Sequence, residues 1–390
     1  MNTPYPELCE YFFVRRPELL TGRHSGFTLV ELLVTLSIFS IIMAGVLAVY
    51  TNQIRHSTRE YRLAESEMEA EIATNIIERD VMMAGYGLAD DYDSLIFVPP
   101  PLPIGATDNI DPGATANPAG GTYPSTVLSG TDSLYMMGTA LGIYSKTAQA
   151  WTYIRETSPL NFQEWADARE NIQDGDRVVY IQPNTKTIVA DGTTWRFTYP
   201  DRPDFPENQG KGVLLYGLTR PPGSGEDEVP RPYYIVQYRL GGSSSDRPDI
   251  CSRGTRNLER VEISSGASIE PVLTCVRDFQ AAFGIDTDGN GKIDAWDPVE
   301  PGRFQASEYD IKSLKKRIKL IKIFVLVQAG NRDPDYAYAN PDDSENPRRI
   351  CVGELRGGTC TPGRFITLTN DQRKYRWRVI SLDITPRNLR

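Results

Sequence analysis

Residues 27 to 50 read FTLVELLVTLSIFSIIMAGVLAVY, 24 residues with a single charge at Glu31. As a helix rising about 1.5 Å per residue, the stretch is roughly 36 Å long, enough to cross a bilayer. A carboxylate inside such a span costs on the order of 3 kcal/mol, so Glu31 marks a functional position by default. Upstream, RRPELLTGRHSG carries Arg15, Arg16 and Arg23, and the positive-inside rule keeps that side in the cytoplasm. Everything after Tyr50 is then expected to be exported. No A-x-A-like site follows the apolar run, so the plain reading is an uncleaved anchor, not a secretory signal.

After Pro17 the next proline is Pro99, which lets residues 27 to 84 run as one helix of about 87 Å. Beyond the span, Tyr61, Ala64, Met68, Ile72 and Ile76 recur at three- and four-residue spacing and form an apolar stripe. Glu65, Glu67, Glu69, Glu71 and Glu78 fall mostly elsewhere on the helix. The stripe is expected to pack against the chain's own globular part, with a free coiled-coil face as the alternative. Gly85 and Gly87 supply the stop signal.

The run Gly26-Phe27-Thr28-Leu29-Val30-Glu31 resembles the type IV prepilin signature. That resemblance implies cleavage between Gly26 and Phe27 by a membrane prepilin peptidase, followed by methylation of the new Phe27 amine. It also implies that Glu31 pairs with an N-terminal amine during filament assembly. The physics is compatible, because an ammonium beside a carboxylate in low dielectric offsets desolvation that either charge alone would suffer. The leader, residues 1 to 26, is longer than is usual in this family. The segment from Ile77-Glu78-Arg79-Asp80 to Met83-Ala84-Gly85-Tyr86-Gly87 further resembles the PilW branch of minor pilins, as do the C-terminal strand segments ending near Arg387 and Asn388. No independent physical role for Arg79 or Asp80 is visible in the sequence.

The whole chain has 390 residues, 40% of them hydrophobic, and a net charge of −9. That length allows two or three domains, and the composition excludes disordered and collagen-like chains. The acidic balance argues against a general nucleic-acid binder. With only His24 and His56, histidine-rich metal sites and most histidine-dependent catalysis are disfavoured. Pro99 to Pro124 reads as a loop or linker. Strand-like runs then follow at Ser133 to Met137, Arg177 to Gln182, Trp195 to Tyr199, Gly212 to Leu218 and Tyr233 to Leu240, pointing to antiparallel sheet. Residues 200 to 232 and 331 to 350 read as exposed insertions. The basic segment from Leu314 to Gly330 reads as a short helix leading into a core strand, with its lysines facing water.

Residues 286 to 297, DTDGNGKIDAWD, carry oxygen side chains in the order of an EF-type calcium loop, with glycine at the sharp turn and Ile293 pointing inward. Asp286, Asp288, Asn290, the Lys292 carbonyl, Asp294 and Asp297 are the candidate ligands of one Ca²⁺. Position 12 is Asp where Glu is usual. Cys251, Cys275, Cys351 and Cys360 are all exported, so two disulfides are expected, Cys251 with Cys275 and Cys351 with Cys360 because each closes the shorter loop. No nucleophile elbow, phosphate loop or zinc-protease motif is present, and no enzymatic activity is expected.

The expected fold class is therefore α+β, with a long N-terminal hydrophobic helix, the pilin stalk, packed on an antiparallel β-sheet globular domain. The expected parts are a cleaved leader (1–26), the transmembrane and assembly half of the helix (27–50), its amphipathic half (51–87) and an exported β-rich domain (88–390). The resemblance implies a single-pass inner-membrane protein, cytoplasmic at its N-terminus and periplasmic in its globular domain, that later joins a pilus at the cell surface. Implied partners are prepilin peptidase, other minor pilins, the major pilin and a large tip adhesin, with no nucleic acid. The implied role is initiation of pilus assembly at the tip. Two alternatives remain, a J-like minor pseudopilin of type II secretion and a pilus-borne adhesin or DNA-uptake receptor.

Overall fold

The apolar stretch lies in one helix, α1, that runs from Leu29 to Met83. The computed structural model describes residues 26–90, 103–117, 122–141, 150–192, 194–205, 210–217, 234–242, 246–262, 268–297, 316–341 and 343–389. The leader before Gly26, parts of the 99–124 and 200–232 segments, and Leu314 and Lys315 at the start of the basic segment lie outside these residues. The chain divides into two compact units, Met1–Thr58 and Arg59–Arg390. In the first, every described residue is exposed, and α1 carries a stretch long and apolar enough to cross a membrane.

In the second unit, α1 buries Ala70, Ala73, Ile77, Asp80 and Val81. Their three- and four-residue spacing makes one face, and two alanines on it let the helix approach the sheet closely. The stripe expected to pack is a different one. Tyr61, Met68 and Ile72 are 67%, 63% and 60% exposed, so the packing expectation is corrected. Large side chains advertise hydrophobicity in a sequence, but here the small ones make the contact. The helix stops at Gly85, whose φ of +84° suits glycine. A Cβ there would also lie 2.8 Å from the Leu389 side chain.

The described strands, in chain order, begin with β1 (Ile104–Thr107), β2 (Ser133–Gly138), β3 (Trp151–Thr157), β4 (Leu160–Phe162) and β5 (Arg177–Gln182). Next come β6 (Thr187–Ile188), β7 (Arg196–Thr198), β8 (Leu214–Gly217), β9 (Tyr234–Gly241) and β10 (Arg256–Glu262). The last are β11 (Ser268–Ile285), β12 (Ala295–Asp297), β13 (Ile318–Ala329), β14 (Arg349–Arg356), β15 (Thr359–Thr367) and β16 (Arg376–Ile384). The main sheet has the order β1-β2-β9-β10-β11-β13-β16, with β12 pairing on β11. Its named pairings are all antiparallel. A second sheet has the order β4-β3-β8-β5-β6 with β7 on β5, and β14 and β15 form a hairpin. The class is thus α+β, a long helix on antiparallel sheet. β1 is a strand inside the segment expected to be a linker.

β13, with the sequence IKLIKIFVLVQA, shows how the layers form. Ile321, Ile323, Val325 and Val327 join the core that holds the helix face, while Phe324 and Leu326 join Ile350, Val352, Ile366 and Leu368 of the hairpin side. An apolar run buried on both faces is the mark of a central strand. Lys322 interrupts that run and does not face water as expected. It is 8% exposed and pairs with Glu354 and, at 3.1 Å, with Asp383. The second sheet has its own core of Ile154, Val178, Tyr180, Val213 and Leu215.

Candidate functional site

Gly26, Phe27 and Thr28 lead into α1 in an open segment. Phe27 is 81% exposed, and a Cβ added at Gly26 would meet nothing within 4 Å. Thr28 and Glu31 then bond reciprocally. The Glu31 N–H donates to Thr28 Oγ1 (3.3 Å), while the Glu31 carboxylate accepts from the Thr28 N–H (3.0 Å) and hydroxyl (2.9 Å). This is a capping box, in which the side chain at the third helical position turns back to satisfy a free N–H at the helix start. The prepilin resemblance implies for Glu31 a role in assembly. The structure adds a local one, and it places an anion one residue from the Gly26-Phe27 bond.

At the other end of α1, Asp80 joins the helix to the sheet. Its carboxylate accepts from the Tyr238 hydroxyl and from Arg260 Nε, both at 2.7 Å. Arg260 is 1% exposed, and it also donates to the Leu141 carbonyl. Burial alone would make the guanidinium easier to deprotonate, but the Asp80 carboxylate reverses this and raises its pKa. Burial and the same carboxylate hold the Tyr238 hydroxyl well above the usual phenol range. Nearby, the Asn388 side chain donates to the Met82 carbonyl at 2.7 Å. Sequence reasoning quoted Asp80 and Asn388 but assigned neither a contact.

Asp286, Asp288 and Asp294 are brought together, with one carboxylate oxygen from each within 4.8 Å of the others. Asp286 is 2% exposed. Its oxygens accept from the Gly289 (2.7 Å) and Gly291 (2.9 Å) N–H groups, and Lys319 Nζ lies 3.3 Å away. Burial opposes its ionisation, but the Gly291 N–H, Lys319 and the Gly289 N–H together hold it below the usual carboxylate range. Asp294 accepts from the Thr287 hydroxyl and N–H, which lowers its pKa as well. Asn290 Oδ1 accepts from the Lys292 N–H, and its amide donates to Asp288. Asp297 lies on β12, its backbone opposite Phe283. Gly284 makes room for the loop's inward residue, since a Cβ there would sit 2.8 Å from Ile293.

Two disulfides close loops of the second unit, Cys251 to Cys275 and Cys351 to Cys360. A buried acid that the sequence did not flag, Asp132, lies against β11 of the main sheet. Asp132 accepts from the Asn109 and Ala281 N–H groups, both at 3.0 Å. Asp278 is paired with Arg364. Burial pushes Asp108 up to about 6, and burial together with the Asp108 charge raises Asp132 well above the ordinary carboxylate range.

A family model described as the prokaryotic N-terminal methylation motif matches residues 22–47. No curated protein and no solved structure matches the chain. The matched residues span Gly26, Phe27, Glu31 and most of the exposed apolar stretch. The motif supports a type IV prepilin-like protein, of the pilin or pseudopilin kind. With the one membrane-length apolar helix among its described residues, near the N-terminus, the chain fits a membrane-anchored member of that class.

Proposed function

We propose that the chain is a minor pilin of the PilW-like kind, cut after Gly26, methylated on Phe27 and inserted with other minor pilins into a complex that starts pilus assembly. It acts as a structural protein, not an enzyme. The observation that carries this is the methylation motif at residues 22–47 on a helix whose apolar residues from Phe27 to Tyr50 stand exposed. A surface of that kind is stable in lipid or against other apolar helices, and in neither water nor an isolated fold. The globular part is expected on the periplasmic side, and the apolar helix is the part that enters the filament.

The capping box gives the mechanism a physical starting point. Before cleavage, Glu31 is held by Thr28. Cleavage creates an ammonium on Phe27, and Glu31 is then the nearest anion in sequence to accept it or the ammonium of a neighbouring subunit. Two variants separate the cap from the charge, because Gln keeps the capping geometry and lacks the charge. Glu31→Gln and Glu31→Ala should both be processed, and both should fail to assemble pili. Normal piliation with Glu31→Gln would show that the cap alone is sufficient and would end the charge-pairing role.

The acidic loop is proposed to hold one Ca²⁺ through Asp286, Asp288 and Asp294, with the Asn290 side chain and the Lys292 carbonyl as further oxygens. The donors fit a hard cation, since they are all oxygens and three are carboxylates. A bound ion would neutralise that charge and fix the loop between β11 and β12. Calcium should then raise the melting temperature of the wild-type chain in detergent. An equal rise in Asp288→Ala, or none in the wild type, would remove the site.

A further inference from the structure

We infer that the outer face of α1 between Glu60 and Glu78 docks one helix from a different prepilin-like subunit, a helix whose apolar ladder is flanked by Lys or Arg at seven-residue spacing. This rests on the prepilin reading above, which supplies neighbouring helices but not their chemistry. The first observation is the stripe that the chain's own domain leaves uncovered. Tyr61, Ala64, Met68 and Ile72 are exposed, while Ala70, Ala73 and Ile77 take the sheet. At about 100° per residue, the two faces point to nearly opposite sides of the helix. Three- and four-residue spacing of large apolar groups is the pattern that interdigitates with a second helix.

The second observation is charge. Glu60, Glu67, Glu71 and Glu78 follow at spacings of seven, four and seven residues. They form one acidic row along one edge of the stripe, roughly a quarter turn from it at 3.6 residues per turn. Glu60, Glu67 and Glu71 are exposed and Glu78 half-buried, and none of the four pairs with a cation among the described residues. The opposite edge holds Arg62, Glu65 and Glu69. Arg62 is already bonded to Glu65 at 2.7 Å, and Glu69 accepts from the Thr274 hydroxyl.

These charges select the occupant. In a parallel helix pair, the row on one edge faces the other edge of the partner. A second copy of this chain would therefore set Glu60, Glu67 and Glu71 against Glu65 and Glu69, acid against acid, with Arg62 already occupied. Lipid is also disfavoured, because four glutamates fall between positions 65 and 71. A helix with an apolar ladder and a basic edge satisfies both the stripe and the row.

Two experiments on the full-length chain test this. In the first, a photoreactive residue replaces Met68 in membranes of cells that express the native partners, and the cross-linked peptide is sequenced. The expected product is a helix of another chain carrying the methylation motif, with Lys or Arg at seven-residue spacing. Cross-links to a second copy, to this chain's own globular part or to lipid would overturn the inference. In the second, the detergent-solubilised chain is titrated with two synthetic helices that share one leucine ladder and differ only in Lys or Glu flanks. The Lys-flanked helix should bind roughly tenfold tighter, and the preference should vanish in the Glu60→Gln, Glu67→Gln, Glu71→Gln, Glu78→Gln variant. Equal affinity of the wild type for both helices would contradict it. Cleavage after Gly26 is scored on the same membranes, so a failed prepilin reading shows as an uncut chain while a failed docking inference shows only in the cross-link.

Discussion

At the residue scale, buried charge separates into two kinds. Asp80 is compensated, since it meets Arg260 and Tyr238 at 2.7 Å each and ties the end of α1 to β9 and β10. Removing one member of such a pair leaves the other charge buried and alone, at a cost of roughly 3–5 kcal/mol. Asp108 is the opposite case, with burial raising its pKa to about 6 and Asp132 as its acidic neighbour. A carboxyl whose folded pKa is raised binds more protons in the folded than in the unfolded chain. Its contribution to stability therefore falls as pH rises from about 4 through 6 and is fully unfavourable above that window. Asp108→Asn should accordingly stabilise the protein at about pH 7.5, by roughly 1–3 kcal/mol, and change little at about pH 4. Melting curves at the two pH values check this, and the same shift at both would contradict it. None of this was legible in the sequence. Arg260 stands 180 residues from Asp80, and no local pattern announces a partner at that distance.

At the scale of elements, the helix was legible and its packing face was not. A proline-free run with a 24-residue apolar start and glycines at the end fixes α1 from Leu29 to Met83 almost to the residue. The packing face is carried by Ala70 and Ala73 beside Ile77 and Val81, and alanine gives little signal in a hydrophobic pattern. The strands divide in the same way. β5 and β9 read as apolar runs, whereas β10, with the sequence RNLERVE, was missed because its glutamates and arginines are buried in pairs with each other and with neighbours. The corrected face makes a sharp prediction. Ala73 is fully buried and Ile72 60% exposed, so Ala73→Leu should lower stability by about 1–3 kcal/mol through overpacking. Ile72→Ala should stay within about 0.5 kcal/mol of wild type. Thermal unfolding of the two variants decides it, and the reverse order would restore the stripe as the packing face.

At the scale of the whole molecule, the chain joins an anchor that needs lipid or other helices to a β-rich body that has cores of its own. The apolar helix and the methylation motif were legible, because both are local features. The body was legible in class only, since antiparallel pairing across long loops joins residues that the sequence keeps far apart. The candidate calcium loop was legible in part, with its spacing readable and its three clustered acids visible only in the fold. The prepilin character of the chain is tested most directly by the intact mass of the protein recovered from membranes that also contain a prepilin peptidase. The expected product begins at Phe27 and carries one added methyl group on its amine. A chain that keeps the residues before Phe27, or one cut beyond Tyr50, would contradict it.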